Sequence, residues 1–506
     1  MDKLEFTRDS GQAGGHPETG HRAYVASSLV TLTLSFAVYE VLGFLIRIVL
    51  AGGLPTDEYG LVTYCWSTGS TLGFLLMVGR EHEALVNIPR MGHSDLRRLH
   101  RYLRRVSGFI VAALFILLTI STIAGLQLEV LGIAGFVLGN LAFQMVQYTL
   151  LGNRRFGTHL LVNASLNGAS LACVYALKVQ GMLNARTALS TLILVLAAAV
   201  FIGATLVGLN RHHETPAVET PDSPDPSTTR TWVLTRFEVN NLRFFVIDLA
   251  GTMIPLIPIL SLQGLRGYEQ VAYFSLASTF YKASLVFASV LHSTYAPILS
   301  QSFLSDKARY FRLLKESLGL TILVQGLLAI ALGVFSQSVL SFFVDARYAT
   351  SSTLLQLMLL GTAFESLYFV CSSVLRTSAH SRELLAVNLA ALGTCVGLVP
   401  AFVFWFGAVG AAGSYALVLL LQGSTGFLAM RYVFRSLQPD ALTSRYTLAV
   451  LLWCACPPLE LALLLISGTA MLPLYQIAAA SVFILLGFAL DVASPTSLKP
   501  VLIRKA

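Results

Sequence analysis

The sequence predicts an all-α polytopic membrane protein: about 14 transmembrane helices, arranged as two six-helix lobes related by a parallel repeat plus a C-terminal helix pair. Three observations predict it. The 506 residues are 55% hydrophobic and 12% charged, against about 25% charged in an average soluble domain. Uncharged apolar runs recur at the length, about 20 residues, that a hydrocarbon core near 30 Å demands. Lys and Arg then fall on alternate sides of those runs, as cytoplasmic loops collect positive charge.

Residues 1–23 are polar and are expected to form a cytoplasmic tail with no cleavable signal, because the first apolar run exceeds a signal-peptide core. Spans at 24–50, 59–79, 106–126, 128–151, 156–178 and 183–209 make an N-terminal lobe, 24–209. Each is expected to be a helix, since an unpaired backbone group has no partner in lipid. Residues 210–235, opening "NRHHETPAVETPDSPDPSTTRT", are the one long proline-rich polar interruption and read as an inter-lobe linker. Spans at 241–262, 268–295, 317–342, 352–375, 384–406 and 408–434 make a C-terminal lobe, 236–435. A further pair, 446–467 and 471–491, fills 446–491, and residues 492–506 form a second cytoplasmic tail.

With the N-terminus inside, 28 of the 34 Lys and Arg fall on inner segments. Lys178, Arg186, Arg266 and Arg347 are assigned to the outer side, Arg243 and Arg431 at inner span ends are counted inside, and Arg47 and Lys282 are left as charges within spans. A missed or invented span would scramble that alternation. The formal charge of +8 thus reports membrane orientation, and no nucleic-acid partner is expected. The run "RRLHRYLRR" at 97–105 reads as an interfacial helix against anionic membrane lipids. The six cysteines fall almost wholly in apolar spans with no Cys/His cluster at ligand spacing, so neither a disulfide framework, a metal nor another cofactor is expected.

The halves repeat. "LPTDEYGLVTYCWSTGSTLGF", then Pro89 and "SDLRRLHRYLRRV", parallels "LRGYEQVAYFSLASTFYKASL", then Pro297 and "SDKARYFRLLKESL". Transporters are commonly built from such repeats, with the substrate site between them. Pro255 and Pro258 in "GTMIPLIPIL" each remove a backbone donor, giving either a bendable helix or a fixed kink. The small-residue faces "GSTLG" at 69–73, "GFVLG" at 135–139 and "GAVGAAG" at 407–413 suit close helix packing.

"RIVLAGGLPTDEYGLVTYCWSTGSTLGFLLMVGREHEAL", "YAPILS" and "FGAVGAAGSYALVLLLQGSTGFLAMRYVF" resemble, over residues 24–435, the polysaccharide transporter (oligosaccharide/O-antigen type lipid-linked saccharide flippase) family of the multidrug/oligosaccharidyl-lipid/polysaccharide exporter superfamily. The resemblance implies a cell-membrane protein that moves a polyprenyl diphosphate-linked saccharide to the outer leaflet by alternating access, for cell-surface polysaccharide biosynthesis. Glycan assembly proteins would be partners, and H+ or Na+ a coupling ion. The related multidrug extrusion antiporters are the alternative. It also implies that cationic residues in a central cavity hold the lipid pyrophosphate.

The candidate site centres on "STFYKASLV", 278–286, where Lys282 interrupts an apolar run. A cation at a helix centre costs about 2.5–3.5 kcal/mol on insertion scales. At 1.5 Å per residue Lys282 lies about 21 Å from the outer start of its span, hence about 9 Å from the inner surface of a ~30 Å hydrocarbon core, and Asp248 enters from that side to a depth of about 10 Å. Two readings follow: an ion pair joining two helices, or an ammonium in a wet cavity awaiting an anion, with Asp248, Glu40 and Glu365 as ion-coupling or ion-pair groups. Arg47 either joins that cavity or snorkels to the outer interface. Arg80, at the inner edge of the second span, is a candidate headgroup entrance. Asn163 and Asn167, one turn apart, offer either sugar hydrogen bonds or helix-to-helix bonds. No phosphate loop, nucleophile elbow or HExxH motif is present, so no enzyme activity is expected.

Overall fold

A computed structural model describes residues 17–76, 127–152, 155–209, 239–377, 380–435 and 444–467, with scattered positions between 105 and 119 and at 481, 483 and 484. Among the described residues the chain is helical, without strands. The helices are α1 (Pro17–Ala51), α2 (Thr56–Leu75), α3 (Leu128–Gly152), α4 (Phe156–Val179), α5 (Ala185–Leu209), α6 (Val239–Arg266), α7 (Tyr268–Ser305), α8 (Lys307–Phe343), α9 (Thr350–Leu359), α10 (Thr362–Thr377), α11 (Ser381–Arg435) and α12 (Ser444–Ser467), with a 3-10 turn at Ala346–Tyr348. Eight of the described helices are long and apolar enough to cross a membrane, and α9 with α10 makes a ninth span bent by 44°. The third and fourteenth predicted spans, the linker and both tails fall largely or wholly outside the described residues.

Local chemistry sets the ends. The α1 helix stops at the Gly52-Gly53 turn, where the Leu54 amide donates back to the Leu50 carbonyl. Pro55 then opens α2, and Asp57 and Glu58 occupy its first turn, where the helix dipole favours an anion. Asn184 and Thr187 cap α5 reciprocally: each side-chain oxygen accepts from the other's backbone amide at 3.0 Å. Asp306 caps α8 by accepting from the Arg309 amide at 3.1 Å.

The predicted boundary between 384–406 and 408–434 narrows to a single residue. Gly407, at φ +59°, is the one non-helical position in α11, a conformation that suits glycine. Its neighbour Ala408 donates to Gln270 Oε1 on α7 at 3.2 Å. The span predicted at 352–375 is instead broken between Leu359 and Thr362. Pro255 and Pro258 sit inside one helix, α6.

Two of the three small-residue faces pack closely on neighbouring helices, whereas at 407–413 Gly413 has nothing within 4 Å and Gly410 meets Phe402 of its own helix. A Cβ at Gly69 would stand 2.5 Å from Phe136 Cβ on α3, and one at Gly135 would stand 2.4 Å from Ile193 on α5. Side-chain volume is excluded there so that backbones can meet. Helices α1 and α2 pack on α4 and α3, while α6 packs on α11 and α7 on α8. The α7 helix also touches α1 and α2, so it lies between the two halves.

The halves meet at one end and part at the other. One core joins Ile46, Leu50, Tyr59 and Cys65 of the first half to Tyr348, Leu354, Val399 and Ala412 of the second. A second core, with Ile247, Tyr310, Phe364, Phe434 and Trp453, belongs to the second half alone. At the joined end Arg347 donates to the Ala51 carbonyl at 2.9 Å, and the rings of Tyr59 and Tyr348 meet edge to face at 5.9 Å. Lys178 lies over the Gly52-Gly53 turn there, and the Ala185 amide donates to Glu58 at 2.6 Å. Segments predicted on the outer side therefore converge on one end of the molecule. Burial pushes the Tyr348 phenol up to about 12, so that contact is neutral.

Candidate functional site

Helix α7 carries a polar stripe: Ser275, Ser278, Thr279 and Lys282 recur at the i, i+3, i+4, i+7 spacing that places them on one face. That stripe lines a narrow cleft. Facing it are Arg47 of α1, Thr63, Trp66 and Ser67 of α2, and Ile259 of α6. Lys282 is exposed there although its helix neighbours Tyr281 and Ser284 are buried. Among the described residues it has no ion-pair partner. The charged groups acting on it through space are Arg47, Glu40 and Glu365. Arg47, half-buried, holds its guanidinium 5.1 Å from the centroid of the Trp66 ring, an arrangement worth about 0.5–2 kcal/mol. The buried hydroxyl of Ser275 has no partner among the described residues. Two cations and a row of hydroxyls thus face a space with no acidic side chain in its lining. Such a surface is positively charged and rich in hydrogen-bond donors.

A second, larger cavity of about 530 Å³ lies toward the opposite end from the Gly52-Gly53 turn. Phe74 of α2 closes one side, and Asp248, Thr252 and Pro255 of α6, Glu365, Tyr368 and Arg376 of α10 and Gln422 of α11 form much of the rest. Asp248 and Arg376 pair across it at 2.7 Å. Tyr368 donates to Asn388 Oδ1 at 2.8 Å, and Gln422 donates to the same oxygen at 3.1 Å. Glu365 lies near both spaces. It lines the large cavity and accepts from the Tyr281 hydroxyl, one residue before Lys282.

Of the residues singled out from sequence, Lys282, Arg47, Glu40 and Glu365 lie close enough to interact electrostatically, brought together from α7, α1 and α10. Asp248 does not pair with Lys282, as the depth arithmetic allowed. It pairs with Arg376 instead, because equal depth leaves open which face of a helix a side chain occupies. Asn163 sits in a buried network: its Oδ1 accepts from Gln147 at 2.8 Å and its Nδ2 donates to Ser35 at 3.1 Å. Asn167 donates to the Asn163 carbonyl at 3.2 Å. Both asparagines are used between or along helices rather than in either cavity. Arg80 lies outside the described residues.

Sequence reasoning passed over Trp66, Tyr281, Arg376 and His159. The α7 stripe was visible as a period and would have flagged the hydroxyls around Lys282. Arg376 served only as a loop charge in the sign count. Tyr281 carried no signal, since an aromatic in an apolar helix is ordinarily core.

No protein-family model and no curated protein matches the sequence. Solved structures do. A lipid II flippase, MurJ, in an inward closed conformation, superposes with a TM-score of 0.58 at 11% identity, covering 94% of this chain and 100% of its own. An inward-facing multidrug resistance MATE family transporter of the MOP superfamily gives 0.58 at 13% identity, covering 81% of this chain and 99% of its own. A Vibrio cholerae MATE transporter gives 0.53 at 15% identity, with 82% and 98% covered. At these identities the likeness shows the fold: this chain is a multi-pass helical membrane protein with the architecture that MurJ and MATE transporters share.

Proposed function

We propose that the chain is a flippase that carries a lipid-linked oligosaccharide of the polyprenyl diphosphate type from the cytoplasmic to the outer leaflet by alternating access, for cell-surface polysaccharide biosynthesis, as a polysaccharide transporter family member would. Residues 24–209 and 236–435 act as the two moving lobes, with both termini cytoplasmic. One observation carries the reading: Lys282 and Arg47 line the same cleft between the halves, and Lys282 has no ion-pair partner among the described residues. An ionisable group held inside a membrane protein marks a substrate or ion path by default. Lysine suits a mobile phosphate as a compact point charge, and arginine adds a planar fork of donors. The larger cavity, with its paired Asp248 and Arg376 and its amide network, offers room for the saccharide.

The test is reconstitution in vesicles with a fluorescent polyprenyl diphosphate saccharide, following loss of signal to a membrane-impermeant quencher. Lys282→Ala and Arg47→Ala each reduce flipping by at least about tenfold, the cost of roughly one charge-assisted contact. Unchanged flipping in a correctly inserted Lys282→Ala would exclude the diphosphate role.

A second reading, a cation-coupled multidrug antiporter, draws on Glu365, the carboxylate that lines the 530 Å³ cavity. It predicts gradient-driven ethidium extrusion lost in Glu365→Gln and retained in Lys282→Ala, the reverse of the flippase pattern.

A further inference from the structure

We propose that His159 is a proton-binding site built into the seam between α1 and α4, closed in this conformation and filled in another, so that proton uptake moves α1. The imidazole is 1% exposed. Its Nδ1 lies 2.8 Å from Ser35 Oγ on α1 and 3.4 Å from Asn163 Nδ2 on its own helix. The Phe36 ring covers it edge-on at 5.9 Å. Asn163 Nδ2 also donates to Ser35 Oγ at 3.1 Å, which leaves the hydroxyl hydrogen free to point at Nδ1. The nitrogen lone pair is therefore an acceptor, and the ring is neutral with its proton on Nε2.

Among the described residues, the helices packed around the ring bring it no counter-charge. Ser35 and Phe36 face the ring from α1, and the next ionisable groups on that helix are Tyr39 and Glu40, a turn further on. From α3 comes Gln147, whose Nε2 donates to Asn163 and whose buried Oε1 has no partner. Helix α5 carries Arg186 as its one charged residue, at the far end. Arg155, at the start of α4, turns its guanidinium to the Val207 carbonyl at 3.4 Å.

Protonation adds one H+ from water to Nδ1 and converts that atom from acceptor to donor. It then faces the Asn163 amide hydrogens and a hydroxyl already accepting from them, and a net cation stands in a sealed seam. Both effects are relieved when α1 separates from α4. A conformation with Nδ1 free binds the proton more tightly, so it gains population as pH falls. His159 sits about 5 Å along α4 from its start, near inner-side water. Helix α1 also carries Glu40 and Arg47, which links the seam to the cleft. The coupling proton is thereby assigned to an imidazole in the first half, apart from the carboxylates near Lys282.

The experiment uses the full chain in lipid nanodiscs with ring-labelled histidine, titrated from about pH 8 to about pH 5, the range in which imidazole changes charge. His159→Gln identifies the resonance among the ten histidines. Spin labels at Leu34→Cys and Leu161→Cys, both exposed, report the α1–α4 separation in a Cys173→Ser background. The proposal expects an imidazolium signal that rises in step with a longer label distance, and a distance that no longer responds to pH in His159→Gln. Ser35→Ala, which removes the donor to Nδ1, carries more imidazolium than the parent at about pH 6. A ring that stays neutral to about pH 5, or an identical pH response in His159→Gln, overturns it. Neither readout uses a transported substrate, so failure here leaves the flippase reading standing, and failure of flipping leaves this one standing.

Discussion

Lys282 shows what a single residue discloses and what it withholds. Its charge inside an apolar run was enough to mark it, because few other signals are so costly in lipid. Its surroundings were not legible: depth follows from counting, but the face a side chain occupies depends on helix rotation, and rotation is set by packing. The counted partner, Asp248, belongs to Arg376, while the actual neighbours, Arg47 and Trp66, come from helices about 220 residues away in sequence. A cation kept for function rather than for folding should cost stability. Lys282→Met, which fills similar volume without charge, is expected to raise the midpoint of thermal unfolding, by at most the about 2.5–3.5 kcal/mol of the insertion scale, while reducing the proposed flipping by at least about tenfold. Thermal melts of purified protein beside the vesicle assay check both halves. A clear loss of stability would instead make the ammonium a structural tie.

At the scale of helices, the run lengths located the elements and the glycines fixed their contacts. Spans at 128–151, 156–178 and 183–209 match α3, α4 and α5 to within a few residues, because the hydrocarbon thickness sets their length. Breaks were harder to read. Proline left α6 as either a bendable helix or a fixed kink, and its helix runs on through Pro255 and Pro258; the break that no proline signalled falls at Leu360-Gly361. Proline removes one donor without dictating what its neighbours do, whereas at the break a Cβ on Gly361 would stand 2.9 Å from Leu419 of α11. Gly60 gives a sharper test of helix contact. A Cβ there would lie 1.9 Å from the Tyr268 carbonyl oxygen, where α2 crosses α7. Backbone cannot yield cheaply, so Gly60→Ala is expected to destabilise the protein by about 1–3 kcal/mol. Gly413→Ala, with nothing within 4 Å of its Cβ, should be neutral or slightly stabilising through helix propensity. Melting both variants side by side checks this. Equal behaviour would mean the α2–α7 crossing is not as close as described.

For the molecule as a whole, the distribution of cores implies a state. A core common to both halves at the Gly52-Gly53 end, and a separate one at the other, describes a cleft shut at one mouth. The alternation of Lys and Arg predicts that the shut mouth is the outer one, a statement about membrane sides that helix packing alone does not contain. Three contacts hold that mouth across the halves: Arg347 on the Ala51 carbonyl, Tyr348 on Tyr59, and Gly60 on the Tyr268 backbone. Arg347 is the one whose removal leaves core packing intact, since it caps a helix end with a charge-assisted bond worth about 1.5–3 kcal/mol. That energy is comparable to the few kcal/mol that separate conformers of a moving protein. Arg347→Ala should therefore shift the population toward an outward-open form. Leu54, fully buried at the shut mouth, reports the shift when replaced by cysteine in a Cys173→Ser background and exposed to a membrane-impermeant maleimide. With Arg347 intact, Leu54→Cys should resist labelling from either side. With Arg347→Ala it should label from the extracellular side, at a rate raised by at least about tenfold, the equivalent of removing that one hydrogen bond. Labelling from the cytoplasmic side would invert the charge-derived topology, and no change in rate would show that the aromatic and backbone contacts hold the mouth without Arg347.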